Sequence, residues 1–206
     1  MESVLVVPGR KIFRLHGAAE DATAYLVVDR EAGGILVNTP PFSEALARRI
    51  AAVASPRYVF LPSHFGARDV DAWRARYGAQ TLAFEAETPA IAGHVDIPLH
   101  RKSRLTRTID FLLMSGRTRG SGALRLRNKP GVVFFGPILS PGESGWPTLI
   151  PRPDDDSYEN RLLGVLGLQD VKYEYAFTDV FQPGHTRYGP GADVAIQAEL
   201  TRALEL

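Results

Sequence analysis

The sequence predicts an α/β protein built in layers. Three observations carry that reading: short apolar β-type runs fill the first third, amphipathic helical segments are interleaved with them, and a second β-rich stretch in the middle is again followed by helix. At 206 residues the chain suits one domain spanning 1–206 and is long enough to bury a substantial core. We expect two sheets face to face with helices outside. Periodicity alone does not choose this arrangement over a doubly wound sheet.

The elements follow in order. Val4–Val7 and Lys11–Leu15 are short β-type runs. Ala24–Asp29 and Gly34–Asn38 flank the turn-like Arg30–Gly33 and read as a hairpin. Ser43 can cap a helix over Glu44–Ala54, whose Leu46, Ile50 and Val53 share a face. Pro56 ends it, and Tyr58–Leu61 is an apolar strand. A helix over Val70–Tyr77 follows, with Gly78 at its C-cap position, and Thr81–Phe84 is another short strand. Thr108–Met114, Ala123–Arg127 and Val132–Phe135 are strands separated by glycine-rich or Pro-Gly turns. Ser140–Asp156, rich in proline and ending in three aspartates, is a long loop, and the triplet is read as solvated. Helix over Tyr158–Leu166, strand over Tyr173–Phe181 and helix over Asp193–Leu206 complete the chain.

Composition narrows the function classes. A formal net charge of +1 gives no bulk preference for acidic partners. The chain has no cysteine, which excludes disulfides and thiolate metal sites. The amino terminus lacks the basic start and long apolar run of a signal peptide, and no stretch approaches the roughly 20 apolar residues that span a bilayer. The expectation is a cytoplasmic protein with no membrane partner.

Five segments carry a resemblance. Val59–His64 is an apolar strand ending in Ser-His. Before it stands Leu36-Val37-Asn38-Thr39-Pro40. After it come Ser115-Gly116-Arg117-Thr118-Arg119-Gly120-Ser121, then Phe134-Phe135-Gly136-Pro137, then Val180-Phe181-Gln182-Pro183-Gly184-His185-Thr186. In order and spacing, over nearly the whole chain, these resemble the landmarks of the metallo-β-lactamase superfamily. The resemblance implies an αββα sandwich of two mixed β-sheets flanked by helices.

In that superfamily histidines and an aspartate hold two metal ions, often zinc, which activate a hydroxide for hydrolysis. Neutral imidazole and carboxylate suit zinc and lower the pKa of its bound water. On this chain the first motif histidine is kept as His64. The second falls on Gly66, the motif aspartate on Arg68 and the last histidine on Asp69, or on Asp71 with a shifted register. The histidine after Pro-Gly falls on Arg117, the bridging aspartate on Pro137, and the carboxy-terminal histidine is kept as His185. A guanidinium about 4 Å from a unit positive charge, at an effective dielectric near 20, costs about 4 kcal/mol, and a divalent ion roughly doubles it. The expectation is therefore a degenerate centre with no cofactor, in which His64, Arg68, Asp69, Arg117 and His185 bind a small anionic molecule or a protein partner. Arg68 and Arg117 in structural ion pairs with Asp69, Asp71 or Asp179 is the competing reading. A residual mononuclear hydrolase holding a single zinc or iron ion on His64, Asp69 (or Asp71) and His185 is the second functional reading.

A third uses charge asymmetry. Arg101 to Lys129 holds nine basic residues against one acid, Asp110, which suits a solvated sheet face or a nucleic-acid contact. The segment lacks the aromatic interleaving of base-stacking surfaces. His16, His94 and His100 have no motif context and are expected at the surface or in strands. Gly120-Ser121-Gly122 follows no strand-to-helix pattern and carries no dinucleotide signature.

Overall fold

The computed structural model describes residues 1–15 and 21–204; His16, read above as a surface or strand residue, and the last two residues of the expected carboxy-terminal helix lie outside them. The chain forms two compact units, Met1–Leu99 and His100–Leu206, each built on one mixed sheet. No helix among the described residues is long and apolar enough to cross a membrane.

The first unit holds seven strands in sequence order: β1 (Glu2–Val7), β2 (Arg10–Leu15), β3 (Ala24–Asp29), β4 (Gly33–Val37), β5 (Pro56–Phe60), β6 (Gln80–Phe84) and β7 (Ile97–Leu99). The strands from β1 to β4 pair antiparallel, while β4 to β7 pair parallel. Parallel neighbours need crossovers. Helix α1 (Glu44–Ala51) supplies the one between β4 and β5, and α2 (Val70–Tyr77) the one between β5 and β6.

The caps explain the helix limits. Ser43 Oγ accepts from Leu46 N at 3.2 Å, and Gly78 adopts φ +62° to let its N–H reach Arg74 O. Helix α1 ends at Ala51, three residues short of expectation, because Val53 and Ala54 close as turns on Ile50 O. Pro56 opens β5 instead of merely ending the helix, a position where its missing N–H is tolerated. Alternate residues of the sheet, among them Leu26, Leu36, Val59 and Leu61, pack with Ala47 and Ile50 of α1 and Val70 and Trp73 of α2. Trp73 is fully buried, donates to Pro40 O at 2.7 Å and meets Phe42 edge-on.

The second unit holds β8 (Ile109–Leu113), β9 (Gly122–Leu126), β10 (Val132–Phe134) and β13 (Tyr175–Phe177), in the order β13-β10-β9-β8. Only β10 and β13 pair parallel, joined through α3 (Tyr158–Leu166). Ser157 caps α3 by accepting from Asn160 N at 3.2 Å. Ile196 and Leu200 of α4 (Ala192–Leu204) join Val133, Phe135, Val165 and Tyr173 in the core.

Ser140–Asp156 is more ordered than a plain loop. It folds back as a two-stranded ladder of β11 (Ser140–Pro141) and β12 (Pro147–Thr148). The strand expected over Tyr173–Phe181 is confined to Tyr175–Phe177, since beyond it Thr178 turns to donate its hydroxyl to Val180 O.

Candidate functional site

In the first unit the His64 motif hangs from the carboxyl end of β5. Ser63 caps a single 3₁₀ turn over His64–Gly66, accepting from Phe65 N at 3.3 Å. The turn is laced to the end of β4: Thr39 N donates to Gly66 O at 2.7 Å, and Arg68 N donates to Thr39 Oγ1 at 2.9 Å. Asn38 takes φ +61°, a left-handed conformation that asparagine tolerates, and anchors its amide on Thr23 O at 2.9 Å.

This lacing presses Gly66 against Asn38. A Cβ placed on Gly66 would overlap Oδ1 and Cγ of the Asn38 side chain. The position where the superfamily's second histidine would stand is thus backbone wedged against an amide, with no room for any side chain.

His64 is held otherwise. Its backbone N–H donates to Glu87 Oε1 at 2.8 Å, and its Nδ1 meets the same oxygen at 2.6 Å. The Glu87 side chain is only 1% exposed. It rides on a 3₁₀ segment, Glu85–Ala90, that follows β6. With Nδ1 engaged, Nε2 is the ring nitrogen left for other work. Arg68 is exposed, its Nε 4.0 Å from Asp21 Oδ1. Asp69, at φ +46°, accepts from Phe42 N at 2.8 Å, and Asp71 accepts from His94 N at 2.9 Å. Both carboxylates are tied to backbone N–H groups.

In the second unit Arg117 sits on the turn after β8. Gly116 adopts φ +122° there, and a Cβ on it would overlap Ser157 O and Arg161 N at the start of α3. The Arg117 guanidinium is buried. It donates to Asp154 Oδ2 at 2.7 Å and Asp154 O at 3.0 Å, and reaches Asp155 Oδ1 at 3.5 Å. Arg117 holds the Asp154 carboxyl below the ordinary carboxylate range. Asp155 also takes two contacts from Nη1 of Arg161, at 2.9 and 3.1 Å. Arg161 is fully buried and donates to Ile138 O and Ile150 O as well. Desolvation pulls its pKa down, against the raising effect of Asp155.

The aspartate triplet is therefore not uniformly solvated, as expected above: Asp155 is the buried counter-ion of two arginines. Arg117 does make a structural ion pair, with Asp154 and Asp155.

His185 is exposed. Its ring Nε2 lies 2.9 Å from Gly142 O in the β11–β12 turn. Pro137 follows Gly136, whose φ is +57° and whose carbonyl accepts from Asp179 N at 3.0 Å. His94 and His100 are exposed, as expected of residues without motif context.

Three relationships escaped the sequence: Glu87 with His64, Asn38 with Gly66, and Asp155 with Arg161. Each meets its partner through the fold, and no local spacing marks it.

Two mixed sheets of seven and four strands with this element order define an α/β fold, and comparison with solved structures identifies it as the metallo-β-lactamase fold. The chain is similar to the B3 metallo-β-lactamase BLEG-1, with 14% identity, 92% of this chain and 99% of that one covered, and a TM-score of 0.71. It is similar to a metallo-β-lactamase from Cronobacter sakazakii with a HARLDQ motif, at 13% identity, 100% and 93% coverage and a TM-score of 0.70. It is also similar to a metallo-β-lactamase family protein from Thermus thermophilus, at 14% identity, 97% and 80% coverage and a TM-score of 0.71. No family model matches the sequence, and no curated protein does.

The fold raises the question of a metal. Among the described residues no group of three or more His, Cys, Asp or Glu is placed to hold a metal ion. Gly66 has no space for a ligand, Asp69 and Asp71 are engaged with backbone, and Arg117 brings a cation. This donor set does not fit a dinuclear centre.

Proposed function

We propose that this chain is a diverged member of the metallo-β-lactamase superfamily that works without the dinuclear metal centre and binds a small anionic molecule through the His64–Arg68 turn. The observation that carries the reading is the closure of Gly66 by Asn38, which leaves His64 as the sole histidine of the first motif. Arg68 is exposed four residues further along the same turn, its backbone N–H fixed on Thr39 and its Nε no closer than 4.0 Å to Asp21 Oδ1. A forked guanidinium and an oriented imidazole are the groups that recognise carboxylate or phosphate. We assign Arg117 to anchoring the Ser140–Asp156 segment, since Asp154 and Asp155 already balance its charge. His185 is kept as a separate candidate contact and Asp69 as a support for Phe42.

Thermal-shift titration with phosphate, carboxylates and nucleotides tests this. Stabilisation by one anion class that is lost in Arg68→Ala and His64→Ala supports it. No stabilisation by any of them, or no anion class whose stabilisation is lost in Arg68→Ala and His64→Ala, overturns it.

One observation favours a second reading. A carboxylate on the Nδ1 of a histidine is the outer-shell arrangement that orients metal-binding imidazoles. A residual mononuclear hydrolase, using a single zinc or iron ion with His64 as a ligand, would show near-stoichiometric metal in protein purified without chelator.

A further inference from the structure

The second unit has a cavity of about 450 Å³ lined by Arg127, Lys129, Lys172, Tyr173, Glu174 and Tyr175, among others. Its position follows from topology. Arg127 and Lys129 lie in the β9–β10 turn, and Lys172–Glu174 lead into β13, which runs parallel to β10. The cavity therefore opens at the amino-terminal end of β10 and β13. Gly136, Asp179 and His185 follow the carboxyl ends of these strands, so the two places are distinct.

Its charge is one-sided. Arg127 and Lys129 are exposed and have no ion-pair partner among the described residues. The Lys172 side chain is 81% exposed, and its ammonium reaches Asp193 Oδ2 only at 3.7 Å. The one acid in the lining, Glu174, is turned toward the Gly191 N–H at 3.3 Å. Arg107 joins the same end of the sheet, because the carbonyl of the next residue, Thr108, accepts from Arg127 N at 2.8 Å. Single surface cations are worth little, but several converging on a concavity focus the field on an entering anion. The volume lies in the roughly 300–1,000 Å³ range of small-molecule pockets.

The floor is rigid. Gly131 packs on Lys172 O and the Tyr173 backbone, with 3.1 Å left for a Cβ, and Glu174 N and Tyr175 N both donate to Gly131 O at 2.9 and 3.1 Å. The Tyr173 ring is locked in the core edge-on to Phe135. The cations thus project from a fixed backbone, and Tyr175 adds an aromatic wall.

We propose that this cavity is a second anion site, independent of the His64–Arg68 turn, that takes a compact organic phosphate bearing more than one negative charge. A long nucleic acid suits it less, since a short cavity with two tyrosines offers no extended stacking track.

The test is calorimetric titration of the full chain at low salt with ADP, with pyrophosphate, and with a 20-nucleotide oligothymidylate. Saturable binding of ADP or pyrophosphate is expected. It should weaken at least tenfold in Arg127→Ala/Lys129→Ala and in Lys172→Glu, and persist in Arg68→Ala. Persistence in Arg68→Ala separates this site from the first. No saturable binding of ADP or pyrophosphate, binding unchanged by the Arg127 and Lys129 substitutions, or binding of the oligonucleotide alone overturns the proposal.

Discussion

One oxygen of Glu87 serves two atoms of His64: Oε1 receives the backbone N–H at 2.8 Å and meets ring Nδ1 at 2.6 Å. The carboxylate is buried under the turn and the imidazole is 35% exposed, so Glu87 fixes both the path of the turn and the angle of the ring. Removing such a partner leaves a backbone donor stranded. Glu87→Ala should lower stability by about 1–3 kcal/mol and let the His64 ring reorient. Urea unfolding measures the first effect. Nitrogen-detected NMR of the imidazole measures the second: the native ring should carry its proton on Nδ1. An unchanged tautomer signal in Glu87→Ala would contradict the assignment.

The Gly66–Asn38 contact predicts a substitution series. Gly66→Ala should cost about 1–3 kcal/mol, the usual penalty of overpacking, because its methyl overlaps the Asn38 amide. Asn38→Ala made together with Gly66→Ala should cost less than the sum of the two single changes. A thermodynamic cycle reads this coupling; strict additivity would show that the contact carries no energy.

Asp155 and Arg161 predict a large loss. Both side chains are buried, at 3% and 0% exposure, so Asp155→Ala leaves a charge inside without its counter-ion. The expected cost is about 3–5 kcal/mol. Hydrogen exchange should rise in residues 140–156 before the rest of the unit, since Arg117 and Arg161 both grip that segment through Asp155. Uniform exchange across the unit would argue against the anchoring role.

Acid stability has a traceable source in the first unit. The Arg74 guanidinium, bonded at 2.6 and 2.8 Å, holds the Asp96 carboxyl far below its ordinary range, and Thr81 adds two hydrogen bonds. A carboxyl whose folded pKa is depressed contributes stability above the unfolded value, about 4, and loses it as pH falls toward the folded value. Asp96→Asn should thus flatten the decline of Tm with pH below about 5. Parallel curves for wild type and variant would refute the link.

Tyr77 contributes to the opposite limb. Burial pushes its phenol up to about 12, and its hydroxyl donates to Ala47 O at 2.8 Å. The neutral form is favoured by folding, so this contribution is intact below about 10 and is lost as pH rises through 12. Absorbance at 295 nm should show late tyrosinates from Tyr77 and from Tyr173, which burial also pushes up; Tyr77→Phe should remove the one near pH 12 and leave the other.

Much of this architecture is legible in the sequence. Helix α3 falls on Tyr158–Leu166 as its apolar spacing predicts, α2 on Val70–Tyr77 with Gly78 at its C-cap, and Ser43 caps where its hydroxyl suggests. The strand β7 is not legible, because three residues containing Pro98 hold no periodicity. The two 3₁₀ turns are too short to show one either. At the site, His64 and Arg117 are marked by motif. Their partners are not: Glu87 is 23 residues from His64, and Asp154 is 37 from Arg117. Charge alone does not tell an arginine facing a ligand from one facing an aspartate.

The wedge of Asn38 into Gly66 also limits what the turn can be rebuilt to hold. A histidine placed at 66 would collide with the amide opposite before it could bind anything, so building one in requires Asn38 to shrink first. That earlier step would itself remove the hydrogen bond from the Asn38 amide to Thr23 O. Two changes, the first harmful by itself, therefore stand between this sequence and a pair of histidines on the turn.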